Sequence, residues 1–351
     1  MKTIVHYFTG NGNTGRAVSL IGRRLGEAGH AVELRYVDTS SVPPREVPDL
    51  TVVAYPTYSW AAPSLVRRYA KKLPPGNGSR AAVFTTRGGS SDPGREGGFA
   101  GQGLEEMERI LRRRGYEVML TGDAGYPDTW VQAVNPPSGE EAGAIVSRGD
   151  AAADAFAQAL LEGRRSLYRC GAFHTAWSRT VAELFRGPGR RMMGKTFIAD
   201  FRCTGCGVCA RACPAFNITL EGAGGRPRWG LRCEDCCRCI NACPEKAVQT
   251  SPLLLLVHLA AFIALAAIWV RSLGFFPSRP FLRKHRALAF LLTLKTAPAL
   301  AIALFYAQLV VLDGLLFRLA DKDRLRSLFS WSYTRPFTRY RAPGYKLPLR
   351  K

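Results

Sequence analysis

Apolar and polar positions follow two distinct periodicities along the first 165 residues. Short apolar segments with strand character occur over 1–8, 31–37, 50–55, 81–86 and 117–122. Segments with helical periodicity follow most of them, over 16–28, 63–72, 103–114 and 140–162. Alternation of this kind is typical of a doubly wound parallel α/β sheet, whose ligand lies beyond the carboxyl ends of the strands. We therefore predict one α/β domain over residues 1–165.

The turn after the first predicted strand is rich in glycine, hydroxyl and amide residues. It comprises Thr9, Gly10, Asn11, Gly12, Asn13 and Thr14. Backbone N–H groups and the dipole of the following helix favour an anion at such a junction. The turn has neither the lysine of a P-loop nor a G-x-G-x-x-G frame, which argues against ATP and NAD. The alternative is a tight β–α connection that binds nothing.

This turn resembles the FMN-phosphate loop of flavodoxins, which is usually written S/T-x-T-G-x-T. Thr9, Gly12 and Thr14 match that pattern, whereas Asn11 replaces its middle threonine. An asparagine side chain can still donate a hydrogen bond. The resemblance implies a flavodoxin-like fold that binds FMN through this turn.

The same resemblance implies that the flavin ring stacks on an aromatic residue from the loop after the third strand. Tyr58 and Trp60 occupy that loop, and packing against the sheet edge is the alternative for them. The loop after the fourth strand carries Arg87, where flavodoxins commonly carry a tyrosine, so a second aromatic residue is missing there. A cation at this place would stabilise an anionic reduced flavin, unless the side chain is merely solvated.

Nine of the ten cysteines lie between residues 203 and 243 and form an internal repeat. The pattern C-x2-C-x2-C-x3-C-P occurs twice, offset by 30 residues, at Cys203, Cys206, Cys209 and Cys213 and at Cys233, Cys236, Cys239 and Cys243. Zinc sites usually pair two C-x-x-C units, and disulfides need an oxidising compartment, so both fit this spacing poorly. Three thiolates on one short loop suit three corners of a cubane.

The repeat resembles the bacterial two-cluster ferredoxins, in which the fourth cysteine of each run serves the other cluster. That resemblance implies one [4Fe-4S] cluster held by Cys203, Cys206, Cys209 and Cys243. It implies a second cluster held by Cys233, Cys236, Cys239 and Cys213. Cys237 takes the place that Gly207 has in the first run, and Cys170 is isolated, so we expect both to be ordinary thiols.

The last hundred residues combine apolar segments with most of the positive charge. The 351 residues have a net charge of +22, and residues 252–351 contain 16 basic residues against three acidic ones. Residues 253–270 contain no formal charge, and a second apolar segment covers 287–316. Two membrane spans would place the basic loop 271–286 outside, against the positive-inside rule. Interfacial helices on anionic lipid and a buried helical hairpin are the alternatives.

The tail after residue 320 interleaves arginines with aromatic residues. Such a composition can bind single-stranded nucleic acid, but beside apolar helices it favours anchoring at a membrane interface. No pattern of a signal peptide or twin-arginine leader occurs at the N-terminus. We therefore expect the cofactor domains on the cytoplasmic side of a membrane with an anionic surface, and no nucleic-acid partner.

Taken in order, the two resemblances match the fused flavodoxin–ferredoxin proteins of bacteria and archaea. They imply a flavodoxin-like domain (1–165), a linker (166–194) and a two-cluster ferredoxin domain (195–250). The composition of the remaining residues adds an apolar helical segment (251–320) and a basic aromatic tail (321–351). The implied function is electron transfer between two [4Fe-4S] clusters and FMN, with a redox protein or quinone as partner. Two alternatives stay open: a membrane-bound oxidoreductase acting on a quinone, and an assembly or interaction protein that has lost FMN.

Overall fold

A computed structural model describes residues 1–92, 97–222, 224–275, 286–320 and 327–350. Its N-terminal part contains a five-stranded parallel sheet in the order β2-β1-β3-β4-β5. The strands are β1 (Lys2–Tyr7), β2 (Ala31–Tyr36), β3 (Leu50–Pro56), β4 (Arg80–Gly88) and β5 (Glu117–Tyr126). They agree with the predicted strands, except that β5 continues past the expected end at residue 122.

Helices cover both faces of this sheet. They are α1 (Asn13–Glu27), α2 (Ser64–Ala70), α3 (Gly103–Arg113) and α4 (Gly139–Leu161). Phe84 of β4 packs with the buried side chains of α1 and α4, whereas its neighbour Val83 packs with those of α2 and α3. Successive side chains of a strand point to opposite faces, so a strand covered on both sides is apolar throughout. The predicted doubly wound α/β sheet is confirmed for this part of the chain.

A helical connection leads away from the sheet. It contains α5 (Ala172–Leu184), a π-helical turn (Phe185–Gly189) and α6 (Arg190–Lys195). Arg186 of the turn and Glu106 of α3 form an ion pair of 2.7 Å, and both side chains are about 95% buried. Arg186 also pairs with Glu183, and Glu106 also pairs with Arg67, so a network of ion pairs around this buried pair ties the connection to the α/β part.

The cysteine segment, residues 197–250, consists of short elements. The strand β6 (Phe197–Ala199) pairs antiparallel with β9 (Val248–Thr250), and β7 (Ile218–Glu221) pairs with β8 (Arg226–Trp229). Two one-turn helices, α7 (Val208–Ala212) and α8 (Arg238–Ala242), begin 30 residues apart, as the cysteine runs do. Each follows a residue in the left-handed region, Gly207 with φ of 71° and Cys237 with φ of 52°.

Two long helices follow, α9 (Pro252–Phe275) and α10 (Arg286–Leu319). They contact each other through the rings of Phe262 and Phe305, whose centroids are 5.3 Å apart, and through a 3.0 Å hydrogen bond between His258 and Gln308. Among the described residues, one helical stretch, Leu300–Leu319, is long and apolar enough to cross a membrane, with a mean hydropathy of 2.1. The predicted basic loop 271–286 falls mostly on residues 276–285, outside the described ranges.

The described part of the tail packs on the cysteine segment. The Thr334 hydroxyl donates to the Gln249 side chain at 2.8 Å, and the backbone N–H of Tyr340 donates to the Asn241 side chain at 3.0 Å. Tyr340 itself is buried. These contacts place basic and aromatic tail residues on protein, an arrangement that the prediction of an interfacial anchor did not include.

Candidate functional site

The glycine-rich turn lies at the carboxyl end of β1, where α1 begins. The Thr9 hydroxyl accepts a hydrogen bond from the backbone N–H of Gly12 at 3.0 Å, and the Thr14 and Thr86 hydroxyls are 2.8 Å apart. The first turn of α1 contains no acidic residue. The amide group of Asn13 donates to the Pro127 carbonyl at 2.8 Å, whereas its buried carbonyl oxygen has no protein partner. The N-terminus of α1 therefore keeps its preference for an anion.

Two glycines let this turn approach its neighbours closely. Gly12 has φ of +105°, which favours glycine. A Cβ atom on Gly10 would stand 2.7 Å from the Tyr58 hydroxyl and 3.0 Å from the Cys236 carbonyl oxygen. The Asn11 side chain, expected to serve a phosphate, donates instead to the Cys236 carbonyl at 3.1 Å. The turn is thus in direct contact with the second cysteine run.

Tyr58 and Trp60 lie in a tight turn after β3. Tyr58 and Ala61 pair through backbone hydrogen bonds of 3.0 and 3.2 Å. Ser59 and Trp60 between them have φ of 47° and 61°, and each such non-glycine residue costs about 1–2 kcal/mol. The Trp60 ring stacks on Phe99, which follows β4, with centroids 5.4 Å apart and planes at 29°. Phe99 thus brings an aromatic ring to the region after β4, where we expected none, and it packs on Trp60.

Arg87 lies at the end of β4 with its side chain 12% exposed. Its Nε atom donates to the Asp123 carboxylate of β5. An adjacent carboxylate offsets the positive charge, so the effect of Arg87 on a nearby ring is weaker than that of an isolated cation. An anionic flavin at this place would therefore meet the Arg87–Asp123 ion pair and not the isolated cation that we expected.

A cavity of about 490 Å³ lies among the turn and the loops that follow β3, β4 and β5. Its wall contains the predicted residues Thr9, Gly10, Asn11, Asn13, Thr14, Tyr58, Trp60 and Arg87. It also contains Phe99, Trp130, Phe185, Asp235, Cys236 and Cys237. We call it the sheet-edge cavity. Its volume is in the range of small-molecule sites.

The two predicted cysteine sets line two further cavities. The outer cavity is bordered by Cys203, Cys206, Cys209 and Cys243. The inner cavity is bordered by Cys213, Cys233, Cys236 and Cys239. In the part of the chain that the structure describes, no three His, Cys, Asp or Glu side chains form a group that could hold a metal ion. The thiols of each set thus surround a space instead of converging on one point.

Burial makes four of these thiols hard to ionise. Loss of solvation raises the pKa of Cys209 and that of Cys236 to about 12, and it raises the pKa of Cys233 and that of Cys239 well above their usual range. Ligation to a metal requires the thiolate form. The cysteine set would therefore release protons when cationic iron binds.

Arg238 joins α8 to the glycine-rich turn. Its guanidinium is 1% exposed and lies over the Tyr36 ring, 5.6 Å from the centroid. It donates hydrogen bonds to oxygen atoms of Thr9, Gly10, Tyr36 and Ala212. No carboxylate of the described residues forms an ion pair with it. A buried cation of this kind requires a compensating anion nearby.

The tail reaches the glycine-rich turn as well. The backbone N–H of Ala342 donates to the Asn11 carbonyl at 2.9 Å. The Tyr345 ring packs so closely on Gly12 that a Cβ atom there would stand 2.6 Å from its Cγ. The turn therefore has three kinds of neighbour: the sheet-edge cavity, the second cysteine run and the tail.

Sequence reasoning missed several wall residues of the sheet-edge cavity. Phe99 lies eleven positions after β4, too far along a loop for a local pattern to place it. Cys237, which we expected to be an ordinary thiol, borders both the sheet-edge and inner cavities. Its alignment with Gly207 was a usable signal, because a glycine in one repeat indicates a left-handed backbone in the other. Cys170 borders none of these three cavities.

No protein-family model matches the chain. Among solved structures, a flavodoxin from the domain Archaea is 18% identical over 44% of this chain and 99% of its own, with a TM-score of 0.29. A flavodoxin of Streptococcus pneumoniae TIGR4 is 17% identical over 46% and 99%, with a TM-score of 0.32. The two-electron reduced Megasphaera elsdenii flavodoxin is 21% identical over 44% and 98%, with a TM-score of 0.29. The sheet order β2-β1-β3-β4-β5, with helices on both faces, is that of flavodoxin-like sheets, so the N-terminal part of the chain has a flavodoxin-like fold.

Proposed function

We propose that this chain transfers electrons between an FMN in the sheet-edge cavity and two [4Fe-4S] clusters in the inner and outer cavities. The observation that carries the proposal is a shared wall. Cys236 and Cys237 border both the sheet-edge cavity and the inner cavity. A flavin and a cluster in these two spaces would be separated by a single loop of the chain.

The sheet-edge cavity fits FMN in size and in chemistry. The turn at the N-terminus of α1 suits the phosphate, and the Trp60–Phe99 pair offers an apolar wall for the ring. FMN also carries ribityl hydroxyl groups and a ring N–H. An unpartnered buried acceptor at the wall, the side-chain oxygen of Asn13, suits such a donor.

The cysteine cavities fit cubane clusters. Each is bordered by three cysteines of one run and the fourth cysteine of the other, which is the ligand set implied by the ferredoxin resemblance. A cluster held by four thiolates is anionic. Arg238 beside Cys236 supplies a buried cation that needs such an anion.

Flavin accepts one or two electrons whereas clusters pass single electrons, so the pair links one-electron to two-electron chemistry. The chain's own residues hold and separate the centres. The turn would orient the phosphate end, and the Trp60–Phe99 pair would keep water from the ring. Arg238 holds the cysteine run to the turn through its hydrogen bond to the Gly10 carbonyl. The Asn11–Cys236 hydrogen bond makes the same connection from the other side.

We further propose that α9 and α10 hold these domains at a membrane. The described parts of both helices expose large apolar side chains, among them Leu256, Ile263, Ile268, Ile302 and Val311, each more than half exposed. Asp313 of α10 pairs with Lys195 of α6 at 2.8 Å and with Arg228 of the cysteine segment at 3.5 Å, which couples the helices to the cofactor domains. Water would be a poor solvent for such a surface, whereas lipid is a good one.

The test is the cofactor content of the purified full-length protein. We expect one acid-releasable FMN and about eight iron atoms per chain, with broad visible absorbance from the clusters. Cys206→Ser should lose about four of the iron atoms and keep FMN. The matched control Cys170→Ser should keep both. A protein reconstituted with iron and sulfide that binds neither cofactor would refute the proposal.

A further inference from the structure

The two cysteine cavities differ in their access to solvent and to the sheet-edge cavity. Cys206 of the outer cavity is exposed, whereas the four cysteines of the inner cavity are buried or half-buried. Cys236 of the inner cavity also borders the sheet-edge cavity, and no cysteine of the outer cavity does. Cys209 and Cys239 lie in one buried cluster that connects the outer set with the inner set. The centres would therefore follow in the order flavin, inner cluster, outer cluster.

The protein surface beside the outer cavity exposes two apolar side chains. Phe201 is 70% exposed and Leu220 is 43% exposed, although both are large apolar side chains. Leu220 lies beside Gly207, where a Cβ atom would stand 3.1 Å from its Cδ1. Exposed apolar residues next to a redox centre are a feature that a docking protein can cover.

Three cationic side chains lie around these two apolar residues. Arg211 places its guanidinium beside Gly207, 3.1 Å from the position of a Cβ atom there, and is exposed. Lys246 is exposed next to the Cys243 end of the outer cavity, where its backbone N–H donates to the Cys243 carbonyl at 3.2 Å. Arg335 lies 5.7 Å from the centroid of the Phe201 ring.

Few anions oppose these cations on the described surface. Asp200 is taken by Arg202 in a bidentate pair, with its closest contact at 2.6 Å. Glu245 borders the outer cavity and is exposed, and it is outnumbered by the three cations. A surface with this charge attracts an acidic protein and speeds its approach.

We infer that the outer-cluster face, defined by Phe201, Cys206, Arg211, Leu220 and Lys246, is the docking surface for an acidic one-electron carrier protein. The inference rests on the proposed function. Each encounter moves one electron between the carrier's redox centre and the outer cluster, so one is oxidised as the other is reduced. Two encounters account for the electron pair that a flavin can store.

The test compares two charge reversals in the full-length holoprotein in detergent. Arg211→Glu combined with Lys246→Glu reverses the face, and Lys71→Glu combined with Lys72→Glu makes the same charge change on the exposed end of α2. The probe is a small acidic ferredoxin, titrated by calorimetry at low and high salt. We expect the first variant to bind roughly tenfold more weakly at low salt and to lose most of its salt dependence. The control should bind like the wild type.

A second readout uses small oxidants of opposite charge. Anionic ferricyanide should oxidise the reduced clusters of the face variant more slowly than those of the wild type, and cationic hexaammineruthenium(III) should oxidise them faster. Equal binding by the wild type and the face variant, or equal weakening by both double variants, would overturn the inference. Charge-dependent binding to phosphatidylglycerol vesicles without binding to the ferredoxin would assign the face to lipid instead. Iron and flavin are measured in each preparation, because their absence would refute the proposed function and not the docking inference alone.

Discussion

Replacing Arg238 with methionine should loosen the link between the cysteine segment and the glycine-rich turn. The guanidinium is 1% exposed and is hydrogen bonded to the carbonyl oxygens of Thr9, Gly10 and Ala212 and to the Tyr36 hydroxyl. Methionine has a flexible apolar side chain and fills much of the same space. The change therefore removes the hydrogen bonds without opening a large void.

The expected loss of stability comes from the buried carbonyl oxygens that lose their hydrogen-bond donor. Three buried carbonyl groups at about 1 kcal/mol each, the low end for an unsatisfied buried group, give about 3 kcal/mol of lost stability. Two of the three, on Thr9 and Gly10, belong to the turn that we propose binds the FMN phosphate. Affinity for FMN should therefore fall together with stability.

The assay measures the urea midpoint of the holoprotein and the dissociation constant of FMN by fluorescence quenching. Arg232→Met, six residues earlier in the chain, is the matched control, because Arg232 is exposed and should change stability by less than about 0.5 kcal/mol. Iron content shows whether the clusters persist. If Arg238→Met unfolds and releases FMN like the Arg232 control, the role assigned to this buried cation is wrong.

We expect three further outcomes. Tyr345→Ala removes the ring packed on Gly12 and should release FMN roughly tenfold faster, with iron unchanged, in a dilution assay of flavin fluorescence. Gly10→Ala forces a Cβ atom against the Cys236 carbonyl and should lower the unfolding free energy by about 1–3 kcal/mol; a melt unchanged from wild type would contradict this. Burial lowers the pKa of His6 to about 3 from an ordinary value of 6.5. The neutral side chain therefore contributes its full share of folding stability above pH 6.5, and this share is lost as pH falls towards 3. The free energy of unfolding should drop by up to about 2.5 kcal/mol from pH 7 to pH 4.5 through this group, and His6→Asn should flatten that slope.

Local patterns were sufficient for the α/β part. The apolar runs at β1, β3 and β4 are buried on both faces, so their composition alone marks them as central strands. The resemblance carried by the cysteine spacing implied two sets of four thiols, and the thiols of each set border one cavity.

Contacts between distant segments were beyond the reach of such patterns. The basic and aromatic composition of the tail fits a membrane interface as well as it fits protein, and only the fold shows Ala342 and Tyr345 on the glycine-rich turn. The burial of Arg238 could not be predicted either, because an arginine in a cysteine-rich segment is usually exposed. Its burial depends on Tyr36 and on the turn, some 200 residues earlier in the chain.

The shared wall at Cys236 and Cys237 is tested most directly by the kinetics of electron transfer within one chain. Pulse radiolysis of the full-length holoprotein would inject single electrons, and the absorbance of clusters and flavin would be followed together. We predict a first-order exchange between clusters and flavin whose rate does not change with protein concentration. A rate proportional to protein concentration, or clusters and flavin that change independently, would contradict it.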